Sequence, residues 1–267
     1  MEKLFTAKFR LLLPVLSFLF FISFRIYSLP PGNQEFYQIK IYLLSQKSQE
    51  ERVDNYIKQT FIPALHRAGI TKVGVFKPIE GDTAYGKRIY VFIPFKSMEQ
   101  FLDLPEVLAR DQQFNAPGND YLAAAYNNPP FARIESILLK AFINMPAFRI
   151  PKLSTPASER FYELRSYESA TEKLSAKKIQ MFNQGGEIKI FEKLGFNAVF
   201  YAEVLSGSRM PNLMYLTTYS NKASREEHWN KFRDDPDWKK LSSMEEYKIT
   251  VSTSQILFLH PTSYSDI

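Results

Sequence analysis

The sequence predicts an α+β protein built from two copies of one βαββαβ module, and three observations carry this prediction. A set of residues recurs in the same order in both halves of the chain. The first segment of each copy alternates between two kinds of side chain, as a strand with two different faces does. The next segment carries apolar residues at helical spacing, as a helix packed on one side does.

The repeat defines the expected domain organisation. Four blocks in one order at a nearly constant offset indicate an internal duplication. We expect a first, diverged module over residues 34–143, a Pro-rich linker over 144–159 and a second module over 160–261. The matching blocks are residues 36–42 with 161–167, Gly69 and Gly81 with Gly195 and Gly207, residues 88–95 with 212–219, and Asp111 and Phe114 with Asp235 and Trp238.

Local signals predict the elements inside the modules. Pro63 is expected to kink or break the first helix. Apolar residues between 179 and 194 predict a helix in the second module, where the pair Gly185-Gly186 indicates a late helix start or a close approach. Asp235 is expected to cap a short helix, and residues 248–259 are expected to form the last strand.

Residues 1–28 are interpreted as a secretory signal sequence. Lys3, Lys8 and Arg10 precede an uncharged apolar stretch over residues 11–24. A basic segment before an apolar core of about 7–15 residues is typical of export, whereas a spanning helix needs about 20 apolar residues. An uncleaved anchor is the alternative. We expect an exported bacterial protein, periplasmic or secreted, that meets the membrane only through this signal.

Composition excludes several classes of function. The chain has no Cys, which excludes thiol nucleophiles, thiolate metal sites and iron–sulfur clusters. The net charge is +6, but much of this excess lies in residues 1–28 and the other charges are interleaved, so no nucleic-acid partner is expected. His66, His228 and His260 form no ligand motif, so we predict no metal and no cofactor. Nucleotide-binding, serine-hydrolase and zinc-protease motifs are absent.

Three spaced motifs in the second module point to a known family. They are Tyr162-Glu163-Leu164-Arg165 with Tyr167, Asn212 before an apolar strand ending at Tyr219, and Asp235-Pro236 with Trp238. Together they resemble the NIPSNAP family over nearly all of residues 160–260. The resemblance implies ferredoxin-like modules of the dimeric α+β barrel type, in which two four-stranded antiparallel sheets enclose a barrel and helices cover the outside. Members of this family commonly lack an assigned enzymatic activity, and the resemblance implies the same for this chain.

One departure from the family pattern affects the third strand. The family often has a His-x-Trp-x-Tyr run there, whereas this chain has Tyr215, Thr217 and Tyr219. A role for that family His is therefore not expected in this protein.

Alternation along residues 161–167 places the candidate site. Tyr162 and Leu164 share one face of this strand, and polar side chains share the other. If the first face packs on helices, the polar face points into the barrel. The predicted ligand-binding residues are Gln38, Lys40, Tyr42, Glu163, Arg165, Tyr167, Tyr215 and Tyr219. The alternatives are a structural ion pair between Glu163 and Arg165 and aromatic packing of the tyrosines.

Two functions follow from these residues. The leading hypothesis is a binding or assembly module with a small apolar or aromatic ligand in the barrel interior, able to form a homo-oligomer. The alternative is a cofactor-independent monooxygenase or isomerase acting on an aromatic or carbonyl substrate. In that alternative Glu163 or Tyr215 handles protons and Arg165 stabilises a developing oxyanion. Haem carriage on His66 or His228 is a third class, which a Soret band would reveal.

Overall fold

The computed structural model describes residues 34–267, which form one compact unit. The signal sequence predicted at residues 1–28 lies outside the described residues. No helix within the described part of the chain combines the length and the hydrophobicity that a membrane crossing needs.

Two βαββαβ sets follow each other along the chain, as the repeat predicts. The first set is β1 (Phe36–Leu43), α1 (Lys47–Tyr56), a π-helical turn (Ile57–Phe61), α2 (Ile62–Arg67), β2 (Gly74–Pro78), β3 (Arg88–Phe95), α3 (Met98–Arg110) and β4 (Arg133–Ala141). The second set is β5 (Phe161–Glu168), α4 (Glu172–Asn183), α5 (Glu187–Lys193), β6 (Asn197–Ser206), β7 (Asn212–Tyr219), α6 (Lys222–Asp234), α7 (Pro236–Ser242) and β8 (Thr253–Pro261).

The strands form one closed antiparallel barrel in the order β1-β3-β2-β8-β5-β7-β6-β4. Each set contributes a four-stranded sheet with β1 or β5 inside it. The pairs β2–β8 and β4–β6 join the two sheets. Closure leaves neither sheet with an unpaired edge. The predicted fold class, tandem ferredoxin-like modules of the dimeric α+β barrel type, is confirmed.

Aromatic and aliphatic side chains from all eight strands fill the barrel interior. Phe92 and Phe200 stack with ring centres 5.1 Å apart, and Tyr37 lies 5.1 Å from Phe92. Phe76 packs on Tyr162 at 4.7 Å. The interior is therefore a packed core across its middle and not an open chamber for a ligand.

Pro63 is accommodated by a π-helical turn immediately before it. The Ile62 N–H bonds to the carbonyl of Ile57, which widens the helix by one residue. Proline lacks an N–H and clashes with the carbonyl four residues earlier, so the widened turn lets the helical path continue into α2. The helix therefore changes its geometry before Pro63 but does not break there.

Two elements differ from their predictions. The stretch from residue 179 to 194 is two helices, α4 and α5, because Gly186 adopts the left-handed conformation with φ 91°. The late helix start indicated by Gly185-Gly186 is found at Glu187, and Gly185 also lies close to the Met181 carbonyl. The last strand begins at Thr253 and not at residue 248. Ile249 there has φ 55°, which is incompatible with a strand. Asp235 caps α7 as predicted, accepting backbone N–H bonds from Asp237 and Trp238.

Candidate functional site

A fully buried carboxylate, Glu163, lies between β5 and α6. It accepts hydrogen bonds from Arg165 Nε at 2.7 Å and from Arg225 Nη2 at 2.8 Å. The Trp229 indole N–H donates a third bond of 2.7 Å. Burial alone would raise the pKa of Glu163, but the Arg225 hydrogen bond and the Arg165 charge hold this pKa below its usual value.

Arg165 connects this carboxylate to a pair of tyrosines. Its guanidinium carbon lies 3.7 Å from the centre of the Trp229 ring, a cation–π contact. Its Nη1 donates to the Tyr167 hydroxyl at 3.1 Å, and that hydroxyl lies 2.7 Å from the hydroxyl of Tyr215. Burial raises the pKa of Tyr215 well above its ordinary value, so Tyr215 remains protonated.

Glu163 and Arg165 form a structural ion pair, which was one of the two alternatives for these residues. Two guanidinium groups and an indole already hold the carboxylate, and its pKa is low, so it is a weak proton acceptor. Tyr219 completes the group, since its hydroxyl lies 3.4 Å from the Glu163 carboxylate and 3.1 Å from Thr217 Oγ1. These contacts brace β5, β7 and α6 against each other.

The predicted orientation of this face is wrong. Tyr162 and Leu164 belong to the barrel core, whereas Glu163, Arg165, Tyr167, Tyr215 and Tyr219 face the helical layer. Alternation separates the two faces correctly, but it does not say which face meets the barrel. Glu163 and Arg165 point towards the helices because Arg225 and Trp229 on α6 bind them there.

Sequence reasoning missed a second buried ion pair beside this network. Lys178 Nζ on α4 lies 2.8 Å from the Glu187 carboxylate on α5, and both side chains are buried. Burial raises the pKa of Glu187, although the Lys178 charge opposes the shift. Lys178 shares the buried face of α4 with Met181 and Phe182. A lysine on an apolar helix face was the sequence feature that could have indicated this ion pair. For Arg225 and Trp229 the corresponding feature was their i, i+4 spacing, which places both side chains on one face of α6.

The corresponding face of the first module also meets helices. Gln38 and Lys40 are the counterparts of Glu163 and Arg165, and Gln38 donates to Ser136 Oγ at 2.7 Å. Tyr42 is fully buried in the apolar core of this module, edge-on to other aromatic rings. The barrel-interior position predicted for Gln38, Lys40 and Tyr42 is therefore wrong for the same reason.

A cavity of about 520 Å³ occupies this place in the first module; we call it the Lys40 cavity. It lies between β1 and α3, and its walls are mainly apolar. The lining residues that matter below are Lys40, Phe61, Phe101, Leu104, Pro105 and Phe114.

The cavity results from two residue differences between α3 and the equivalent helix of the second module, α6. Ser97 caps α3 and Asn221 caps α6. Counted from these caps, Phe101 takes the place of Arg225, and Pro105 takes the place of Trp229. A proline ring is much smaller than an indole, so volume that is filled in the second module is open in the first.

Lys40 forms no ion pair within the part of the chain that the structure describes. No acidic group in residues 34–267 lies within 4.0 Å of its ammonium. Instead, Lys40 Nζ lies 4.9 Å from the centre of the Phe61 ring and 5.3 Å from that of Tyr42. Burial lowers the pKa of Lys40 to about 8. The first module therefore places an unpaired amine at the wall of an apolar cavity.

Metal binding finds no support in the described residues. No group of three or more His, Asp or Glu side chains there is arranged to hold a metal ion. His66 contacts Asp266, His228 contacts the Ser224 carbonyl and His260 contacts the Arg160 carbonyl.

The closed barrel formed by two βαββαβ sets is the fold of the dimeric α+β barrel proteins. Similar solved structures include a candidate monooxygenase from Lactobacillus acidophilus (12% identity, 85% of this chain and 94% of that chain, TM-score 0.55). Another candidate monooxygenase, from Fusobacterium nucleatum, has 12% identity, 86% and 93% coverage and a TM-score of 0.54. An anthrone oxidase-like protein has 10% identity, 87% and 93% coverage and a TM-score of 0.50. At these identities the likeness shows the fold alone.

The NIPSNAP family model matches residues 162–266 of this chain. The match covers the second βαββαβ set, which carries the three motifs that predicted this resemblance. No curated protein matches the chain.

Proposed function

We propose that this protein binds a small amphipathic acid, an apolar or aromatic molecule with one carboxylate, in the Lys40 cavity. One observation carries the proposal: an ammonium group that has no acidic partner among residues 34–267 lies at the wall of an apolar cavity of about 520 Å³. Ligand sites commonly span about 300–1,000 Å³ and combine apolar walls with a few polar groups.

The energetics favour an anionic ligand. An unpaired charge in apolar surroundings costs several kcal/mol unless a partner compensates it. A bound carboxylate would compensate the charge of Lys40, whose pKa burial lowers to about 8, and the ligand's apolar body would cover Phe61 and Phe101. Each ligand CH₂ that leaves water would contribute about 0.8 kcal/mol.

The second module supports this assignment from within the same chain. There the equivalent cation, Arg165, has its own carboxylate in Glu163, and Trp229 fills the remaining volume. The first module has Gln38 and Pro105 at the positions of that acid and that ring. A ligand would supply the two missing components, a negative charge and an apolar body.

We also propose that the protein is exported, because residues 1–28 carry basic residues followed by an apolar stretch. Cell fractionation with an antibody against the full chain tests it. Self-association is a separate proposal, which light scattering on the purified protein tests.

The monooxygenase or isomerase alternative has weaker support. The barrel interior that it assigned to the substrate is packed with aromatic rings. Its acid–base candidate, Glu163, is held by three donor residues. The solved structures share only a fold with this chain. Dioxygen uptake in the presence of an aromatic carbonyl compound would favour this alternative.

Calorimetric titration tests the binding proposal with the full chain and two probes, decanoate and decanol. We expect decanoate to bind more tightly than decanol, since only the acid can pair with Lys40. The Lys40→Met variant should lower decanoate affinity at least about tenfold, the effect of one charged hydrogen bond, and leave decanol affinity unchanged.

The control is Lys173→Met, which removes an exposed lysine from α4 in the other module. It should leave both affinities as they are. If decanoate and decanol bind equally to the parent protein, or if neither binds, the proposal is wrong.

A further inference from the structure

We propose a second binding site at one end of the barrel, which takes a small apolar α-amino acid as its zwitterion. A cavity of about 90 Å³ lies at the end where β3 and β7 begin; we call it the barrel mouth. It opens on the inner face of the strands, whereas the Lys40 cavity lies on their outer face. The site is therefore independent of the function proposed above.

The floor of the barrel mouth is apolar and belongs to the barrel core. Leu164 and Met214 from the second sheet and Ile41 and Ile137 from the first form this floor. A volume of about 90 Å³ admits a molecule of only a few heavy atoms. The floor can therefore receive a short aliphatic side chain but not a large ring.

Asn212 supplies the observation that points to a ligand. Its side chain lines the barrel mouth, and the residue is 3% exposed. The amide nitrogen donates to Ser166 Oγ at 2.8 Å, but the buried amide oxygen has no hydrogen-bond partner within residues 34–267. A buried acceptor in this state has lost its hydration without compensation, so a donor group of a ligand would be stabilised here.

Two opposite charges on the rim also form no ion pair with any of the described residues. Arg88 contacts the Tyr90 hydroxyl at 3.4 Å, and no acidic side chain in residues 34–267 lies within 4.0 Å of its guanidinium. Glu135 on β4 lies opposite Ile41 on β1 and also lines the barrel mouth. It likewise forms no ion pair within residues 34–267.

Arg209, the other rim cation, is already engaged. It contacts Glu168 at 3.3 Å, and when the Gln255 amide is turned so that its oxygen faces Arg209, that oxygen accepts from Nη2 at 3.1 Å and from Nε at 3.2 Å. The charges of Glu135 and Asp82 act on Arg88, but neither carboxylate lies within ion-pairing distance of its guanidinium. The rim therefore presents a cation and an anion that are not in direct contact, beside an acceptor that has no partner among residues 34–267.

An α-amino acid satisfies all of these groups at once. Its carboxylate would pair with Arg88, and its ammonium would donate to Glu135 and to the Asn212 amide oxygen. Its side chain would lie on the apolar floor. A simple carboxylate would leave the Asn212 acceptor without a donor, and a simple amine would leave Arg88 without an anion.

Amide NMR spectra of the full chain, titrated with L-alanine, test this site. We expect shifts at Asn212 and Met214 that saturate at millimolar alanine. The Arg88→Gln variant, changed at an exposed rim position, should weaken alanine binding at least about tenfold, and Arg88→Lys should retain part of the affinity.

The control variant is Arg149→Gln, which removes an exposed arginine paired with Glu192 away from the barrel mouth. It should bind alanine as the parent protein does, as should Lys40→Met. The proposal is overturned if alanine shifts neither residue, if Arg88→Gln binds normally, or if acetate or ethylamine alone binds as tightly as alanine.

Discussion

The Trp229 indole N–H donates a 2.7 Å hydrogen bond to the Glu163 carboxylate, and the same ring carries the Arg165 guanidinium on its face. One aromatic side chain therefore fills the space between β5 and α6 and completes the ion pair there. The first module has Pro105 at the equivalent position of its helix, and Lys40 on its strand has no ion-pair partner in the described part of the chain. This difference separates a closed site from an open one.

Removing the Glu163 charge should destabilise the protein strongly. In Glu163→Gln, Arg165 and Arg225 lose their shared buried anion, and breaking a buried pair in this way costs about 3–5 kcal/mol. Urea unfolding at neutral pH measures the loss. Glu192→Gln, which removes an exposed partner of Arg149, should cost less than about 1 kcal/mol. Equal losses in the two variants would contradict the assigned role of Glu163.

The same pair predicts a dependence of stability on pH. The native pKa of Glu163 is lowered, so its contribution is complete above the unfolded value of about 4.3 and disappears as the pH falls through the native value. The difference in unfolding free energy between the parent protein and Glu163→Gln should therefore shrink in acid. A difference that is constant from neutral pH to pH about 3 would refute this.

Lys178 and Glu187 should behave as a coupled pair. Lys178→Met leaves Glu187 buried without its cation and should cost about 3–5 kcal/mol. The double variant Lys178→Met/Glu187→Leu removes both charges and should recover most of that loss, since apolar replacements of buried pairs are often neutral or stabilising. A double-mutant cycle from urea unfolding measures the coupling. Additive losses would show that the two side chains do not interact as their 2.8 Å contact indicates.

Lys40→Met should stabilise the protein at neutral pH by about 1–3 kcal/mol, because it removes an uncompensated charge from apolar surroundings. The native pKa of Lys40, about 8, lies below its unfolded value. The unfolded state therefore binds more protons between these two values, and the parent protein gains stability as the pH rises through them. The advantage of the variant should shrink over the same interval. Thermal unfolding across alkaline pH measures both effects, with Lys173→Met as the control.

Pro105→Trp should close the Lys40 cavity, since it places in α3 the residue that fills the equivalent space in the second module. Replacing a proline inside a helix also restores a backbone N–H, so the fold should be retained. Decanoate binding should be lost while L-alanine binding at the barrel mouth persists. A well-folded Pro105→Trp protein that binds decanoate normally would locate the ligand elsewhere.

Local signals in the sequence predicted most of the fold. The order of strands and helices within each module, the effect of Pro63 on its helix and the Asp235 cap depend on residues close together in the chain, whose conformational preferences act locally. The errors lay where local signals conflict. Apolar spacing alone continues one helix through the left-handed Gly186 that precedes α5, and Ile249 takes a left-handed conformation that strand propensity does not reveal.

The sequence by itself determined that Glu163 and Arg165 share one face of a strand and that Lys40 stands at the matching position of the first module. Only the tertiary structure decided which way those faces point and what meets them. Strand alternation has a period of two and is symmetric between barrel and helices, so the choice depends on partners distant in sequence. Arg225 and Trp229 complete the charged site in one module, and Phe101 and Pro105 leave its counterpart open in the other.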